Sequence, residues 1–270
     1  MQLQEQIISA INTTLKNPIY QTLQLLNIKS ILKSANFVKK REGVAPYLVV
    51  LHFVYMLVMN KKIATFINQS SESFKKDTYY RLLQNSSYNW RKLLSLSTLK
   101  ILKLLHKVQD AKSIKVLIVD DTVEGKTGKY IEGSRDALWS NKEKRNIRGI
   151  NVVSLNYSDG YSNFMLDFAI AMGNYARVKF EEFTQELDIR TTAYKRRLEI
   201  MDGKSKIALD MVKRAIKSGI YADYLLVDSW YSKPVFIKEM NNLGLKVISR
   251  IANNNKIWNF RGKEKTLNAI

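Results

Sequence analysis

The chain has 270 residues, 46% of them hydrophobic, and a net charge of +20 from 44 Lys and Arg against 24 Asp and Glu. That length and apolar content support one large or two ordinary domains, and the charge favours a polyanionic partner. The absence of cysteine excludes thiol catalysis, disulfides and cysteine-bearing zinc sites, and two histidines, His52 and His106, argue against a His-rich metal site or a Ser-His-Asp triad.

Any bound metal must therefore prefer oxygen. Charge is unevenly spread: residues 1–114 carry 17 basic and 5 acidic side chains, whereas the remainder concentrates the acids. The first residues lack the basic start, apolar block and cleavage site of a signal peptide, so the expected location is cytoplasmic.

Residues 1–112 read as an all-helical domain, with apolar spacing of three and four and breaks near Asn17-Pro18, Glu42-Gly43 and Gln69-Ser70-Ser71. Val44 to Met59 is nearly all apolar but short of the ~20 residues of a membrane span, so it is read as a buried core helix, with no membrane partner. Leu93, Leu94, Leu96, Leu99, Ile101, Leu102, Leu104 and Leu105 give the last helix a broad apolar face, read as core, while Lys92, Lys100, Lys103 and Lys107 mark its other side.

From Lys115 the texture changes to short strands. Val116 to Val119, Gly149 to Tyr157 and Ser162 to Ala171 are predicted strands, the last two joined by a turn at Ser158-Asp159-Gly160. A charged connection from Asn174 to Gly203 leads to a helix over Lys206–Ser218, with Ser205 as its cap and Gly219 as its stop. A strand at Tyr224–Asp228, a helix from Ser232-Pro234 and a strand at Leu245–Arg250 complete the pattern. Three antiparallel strands followed by βα crossovers predict an α/β mixed sheet over residues 113–253.

Two of these strands end in acid: Lys115-Val-Leu-Ile-Val-Asp-Asp-Thr122 and Tyr224-Leu-Leu-Val-Asp-Ser-Trp230. A buried strand that ends in a carboxylate delivers charge to the rim of a sheet, and two such strands side by side could hold a divalent cation. The alternative is that each Asp begins a turn or caps a following helix.

The motifs, taken in order, resemble the DDE transposases of bacterial insertion sequences, in the group that excises DNA through hairpin ends and carries a Y-R-E-K signature. Lys76-Asp-Thr-Tyr-Tyr-Arg-Leu-Leu83 and Tyr88-Asn-Trp-Arg-Lys-Leu-Leu94 look like the DNA-binding region. Val119-Asp-Asp-Thr122, Lys126-x-Gly128 and Glu132-Gly133 look like the first catalytic strand and its sequel, Arg148–Leu155 like the second strand, and Leu226-Val-Asp-Ser-Trp-Tyr231 like the strand with the second aspartate. The resemblance implies an RNase H-like core whose first and fourth strands lie adjacent and parallel. It also implies catalytic and metal-holding roles for Asp121 and Asp228, Mg²⁺ (or Mn²⁺) as cofactor, and a homodimer acting on terminal inverted repeats and target DNA. Asp121 is favoured because the family's aspartate directly precedes Thr; Asp120 is the alternative, since strand neighbours face opposite ways.

One element of the family pattern is missing. No Tyr-x2-Arg-x3-Glu-x6-Lys follows Arg250; Glu264 reads as a turn or strand edge, and Glu239 lies too close after Asp228. Residues 254–270 resemble the start of the group's β-rich insertion, so the chain reads as a truncated copy without the third carboxylate. The cluster Lys75, Lys76, Arg81, Trp90, Arg91 and Lys92, and the run Lys195, Arg196 and Arg197, are candidate DNA contacts. The resulting expectation is a transposase using two-metal phosphoryl transfer, bound to the nucleoid when on DNA. The alternative is an inactive remnant that binds ends or inhibits intact transposase.

Overall fold

The computed structural model describes residues 18–38, 42–69, 73–106, 113–128, 130–172, 186–250 and 257–266. The chain forms two compact units: residues 1–109 with 186–197, and residues 110–185 with 198–270.

The first unit contains helices α1 (Pro18–Leu25), α2 (Ile28–Ser34), α3 (Pro46–Val58), α4 (Ile63–Gln69), α5 (Lys76–Leu83) and α6 (Trp90–Leu105). Pro46 pre-sets the first turn of α3, where its missing N–H is not needed. Leu48, Val49, Val50, Leu51 and Met56 of α3 are buried and join a core with Leu32, Phe37, Phe66 and Tyr79. Among the described residues no single helix is long and apolar enough to cross a membrane; α3 and α4 pass such a test only together, and they are bent by 102°.

His52 lies in this core, stacked on Phe74 at 4.6 Å, with Nδ1 2.8 Å from the Tyr79 hydroxyl. Burial lowers its pKa to about 4, so the ring is neutral. The Phe74 N–H donates to Tyr79 Oη at 3.2 Å, which leaves the hydroxyl proton for His52 Nδ1. On α6, Thr98 and Leu102 are buried while the other leucines are half-buried, a thinner cover than the apolar face predicted. The Asn89 side chain caps α6 by accepting from Lys92 N at 2.9 Å.

The second unit carries β1 (Val116–Gly125), β2 (Arg135–Ser140), β3 (Arg145–Ser158), β4 (Asn163–Ile170), β5 (Tyr224–Val227) and β6 (Lys246–Ser249), with the order β2-β3-β1-β5-β6 and β4 also on β3. This is a mixed α/β fold compatible with an RNase H-like core. The 14-residue β3 is its spine: one edge pairs with β1 over ten positions, and the other takes β2 and then β4. A Cβ on Gly149 would come within 2.3 Å of the Glu124 carbonyl oxygen, so only glycine lets the two strands close there.

β2 is one strand more than the pattern predicted. Its register with β3 shifts between Arg135 and Leu138, and Ala137 has φ +59°, so the alternation that marks a strand is broken by a bulge. After the strands come α7 (Thr192–Ile200), α8 (Lys204–Lys217), a 3-10 turn (Ser229–Tyr231) and α9 (Pro234–Asn242). α7 occupies part of the stretch read as a connection. α8 begins two residues before the predicted start, with Gly203 as its cap rather than Ser205, whose hydroxyl is buried without a partner.

α8 packs on β3 and β4, with Ile207, Ala208, Met211 and Val212 buried. Its Arg214 donates to the buried Asp167 of β4 at 2.7 Å and to Glu199 at 3.3 Å, tying the helix to the sheet. β7 (Ile257–Phe260) and β8 (Lys263–Thr266) form a separate antiparallel hairpin. Glu264 lies on β8, opposite Asn259 and exposed.

Candidate active site

The parallel ladder between β1 and β5 pairs Val116 with Tyr224 through Val119 with Val227, so both strands reach the same end of the sheet together. The adjacency that the resemblance implied for the acid-tipped strands is present; β2 makes the second of them the fifth strand rather than the fourth. Leu117, Val119, Leu225 and Val227 are buried, which anchors both strands just before their acids. Continuing the alternation, Asp121 falls on the face of Leu117 and Val119, and Asp120 on the opposite, exposed one.

Asp121 is largely enclosed and doubly held. Its Oδ2 accepts from Lys204 Nζ at 2.6 Å and from Asn151 Nδ2 at 2.9 Å. Asn151 comes from β3 and Lys204 from the first position of α8, so three elements meet at one carboxylate oxygen. Asp120 stays exposed, and its side chain accepts from the Asp121 backbone N–H at 2.8 Å. Asp228 is exposed at the end of β5, and its carboxylate accepts from the Trp230 N–H, capping the 3-10 turn. The capping alternative for this residue is thus realised, which leaves its second oxygen unaffected.

Tyr231 ends that turn, fully buried, and its hydroxyl has no hydrogen-bond partner among the described residues. Burial pushes its pKa well above the usual phenol range, and the carboxylates of Asp121, Asp228 and Asp120 push it further. Trp230 beside Tyr231 is exposed, with Lys233 Nζ 3.9 Å and Lys204 Nζ 5.3 Å from its ring centroid.

Asp121 and Asp228 offer oxygen donors of the kind a hard divalent cation takes. Two carboxylates are a common protein contribution to a magnesium site, and the buried, unpartnered Asn151 Oδ1 and Tyr231 Oη are further oxygens that the hydration shell of such an ion could engage. Among the described residues there is no group of three or more His, Asp or Glu positioned to hold a metal. A cleft of about 680 Å³ opens beside Asp121, lined by Arg135, Trp139, Lys142, Asn151 and Lys204 among others.

The candidate DNA contacts all lie in the first unit. Lys75 precedes α5, which carries Lys76 and Arg81; all three are exposed. On α6, Lys92 is exposed and Arg91 half-buried, whereas Trp90 packs edge-on against Phe37 at 4.8 Å and serves the helical core. Lys195, Arg196 and Arg197 lie on α7 rather than in an irregular connection, and Ala193 N donates to Ser86 O at 3.0 Å, joining this segment to the α5–α6 corner.

Lys204, Asn151 and Tyr231 were not singled out by sequence reasoning. Lys204 had one local sign, a lysine in the first turn of a helix, where the dipole disfavours positive charge. Asn151 is a polar amide inside a strand otherwise rich in β-formers, and Tyr231 closes a motif quoted only for its aspartate.

Comparison with curated proteins finds no match. A family model described as DDE superfamily endonuclease matches residues 59–264, from the helical unit through the hairpin. That span is well over half of the chain and contains both acid-tipped strands, and the chain belongs to the DDE superfamily endonucleases, whose substrate is DNA.

Proposed function

We propose that the chain is a DNA transposase of insertion-sequence type, in the group that excises through hairpin ends, with Asp121 and Asp228 as the metal-holding acids and Asp120 as an acid at the rim. One observation carries this reading: the parallel β1–β5 ladder brings the two acid-tipped strands side by side, so that both end in acid at the same rim of the sheet. Mg²⁺, or Mn²⁺ in its place, supplies the Lewis acidity that phosphoryl transfer needs when held by these acids. The chain's own residues orient it: the Asn151 amide fixes the Asp121 carboxylate, and Trp230 N–H fixes one oxygen of Asp228.

In this reading DNA lies along Lys75, Lys76, Arg81, Arg91 and Lys92, and along Lys195, Arg196 and Arg197, through phosphate contacts. Trp90 supports that surface from below. Paired terminal repeats in the nucleoid are the place of action, with two copies of the chain on them. The test is cleavage of duplexes that carry the repeats flanking the encoding gene. Mg²⁺-dependent nicking by the wild type that is abolished in both Asp121→Asn and Asp228→Asn is the expected result, and nicking that persists in either variant overturns the assignment.

A second reading has its own support. No third acid joins Asp121 and Asp228 among the described residues, which favours a chain that binds ends without cutting them and interferes with intact transposase. It predicts salt-sensitive binding that survives Asp121→Ala combined with Asp228→Ala, and no wild-type cleavage. Cleavage by the wild type removes this reading.

A further inference from the structure

The ammonium of Lys204 sits where a cation held by Asp121 would sit. Nζ lies 2.6 Å from Asp121 Oδ2, and the two side chains retain only 18% and 17% of their exposure. Opening so enclosed an ion pair leaves a poorly solvated carboxylate unless another cation takes the place of the ammonium.

Lys204 also stands against local preference. It is the first residue of α8, at the positive end of the helix dipole, and no acid lies in that first turn to offset it. Departures from local rules without a local gain concentrate at functional positions. Nζ also lies 5.3 Å from the centroid of the Trp230 ring, and the backbone N–H of Trp230 donates to Asp228. One ammonium thus lies between the acid of β1 and the turn that the acid of β5 caps.

The cleft beside Asp121 supplies the other half of the argument. Lys204 lines it together with Arg135 and Lys142, beside Glu124 and Glu143, whose carboxylates are already paired with Lys126 and Arg145; an anion entering there meets three cations, this lysine among them.

We propose that Lys204 is an exchangeable counter-cation: it neutralises Asp121 while no divalent cation is bound, and it moves to a DNA phosphate in the cleft when a divalent cation takes the carboxylate. The proposal rests on the reading of Asp121 as a metal-holding acid. The exchange is ionic: the ammonium passes from carboxylate to phosphate, the divalent cation brings one positive charge more than it replaces, and no covalent bond is made or broken. Without DNA the displaced ammonium has no anion to receive it, so metal binding is weak. With DNA it has one, and metal and DNA each strengthen the binding of the other by the same factor.

The experiment is a titration of the full chain with Mn²⁺, read by the loss of the free-ion electron paramagnetic resonance signal, with and without a short DNA duplex. The wild type is expected to bind Mn²⁺ about tenfold more tightly with DNA than without it. Lys204→Met and Lys204→Gln are expected to bind it about tenfold more tightly than wild type without DNA and to lose the DNA effect, whereas Lys204→Arg keeps the wild-type pattern. If folded neutral variants gain no Mn²⁺ affinity while Asp121→Asn loses it, the exchange is wrong and the acid reading stands. If Asp121→Asn leaves Mn²⁺ binding unchanged, both fall together. Should neither neutral variant fold, the wild-type titration decides, and equal Mn²⁺ affinity with and without DNA overturns the proposal.

Discussion

Two buried polar clusters, one in each unit, are built in opposite ways. In the helical unit, the Tyr79 hydroxyl links the Phe74 N–H to His52 Nδ1 inside the apolar core. Near Asp121 the sheet unit leaves Asn151 Oδ1, Ser205 Oγ and Tyr231 Oη buried and unpartnered. A satisfied buried network rigidifies a core, while an open one carries a desolvation penalty with no return in stability. The first pattern is that of a scaffold, and the second is that of a surface prepared for something that arrives later.

The sharpest way to break this contrast is to remove the acids. Asp121→Asn and Asp228→Asn are each expected to lower Mg²⁺-dependent strand cleavage by about 10³-fold or more, because charge stabilisation at the phosphate is lost. DNA affinity, read by fluorescence anisotropy, should change far less, since most of the proposed phosphate contacts are lysines and arginines of the first unit.

The next test acts on the closed network through pH. His52 has its folded pKa lowered from 6.5 to about 4, so below pH 6.5 the unfolded chain takes up a proton that the folded chain refuses. Stability is therefore full above pH 6.5 and is lost as pH falls towards 4, by at most about 3 kcal/mol. Urea denaturation across that window should show the slope, and His52→Gln should flatten it.

A paired substitution then sets the two regions side by side. Tyr79→Phe strands a buried imidazole nitrogen and a backbone N–H and should cost roughly 1–3 kcal/mol, whereas Tyr231→Phe removes a hydroxyl that has no partner and should be within about 0.5 kcal/mol of neutral. Equal losses at the two tyrosines would erase the distinction. The smallest effect concerns charge alone: replacing Lys75, Lys76 and Arg81 by Gln should reduce the slope of log affinity against log salt by about 0.9 for each phosphate no longer neutralised.

Much of this was legible in the sequence, and the reasons are local. The acid-tipped strands could be read because β-branched runs that stop at Asp leave a signature within eight residues, and the helices of the first unit announced their ends with Asn17-Pro18 and Glu42-Gly43. β2 escaped notice because its bulge destroys the period on which such reading depends. The start of α8 was misplaced because Gly203 reaches the extended cap conformation without offering a side-chain bond, so the more familiar Ser205 drew the assignment. Lys204 was invisible for a different reason: its partner is 83 positions away, and nothing in either neighbourhood names the other.

That separation in sequence bears on the order in which the molecule assembles. Lys115 N, at the root of β1, is bound by the Asp223 side chain 108 residues further along, and the whole β1–β5 ladder spans a comparable distance. The helices over residues 18–105 precede the sheet in the chain and can form while the rest is still being made, but the ladder must wait for Tyr224 to Val227 to emerge and then close a long loop. During synthesis the acid of β1 therefore waits, and the two strand ends become neighbours only after most of the chain has been made.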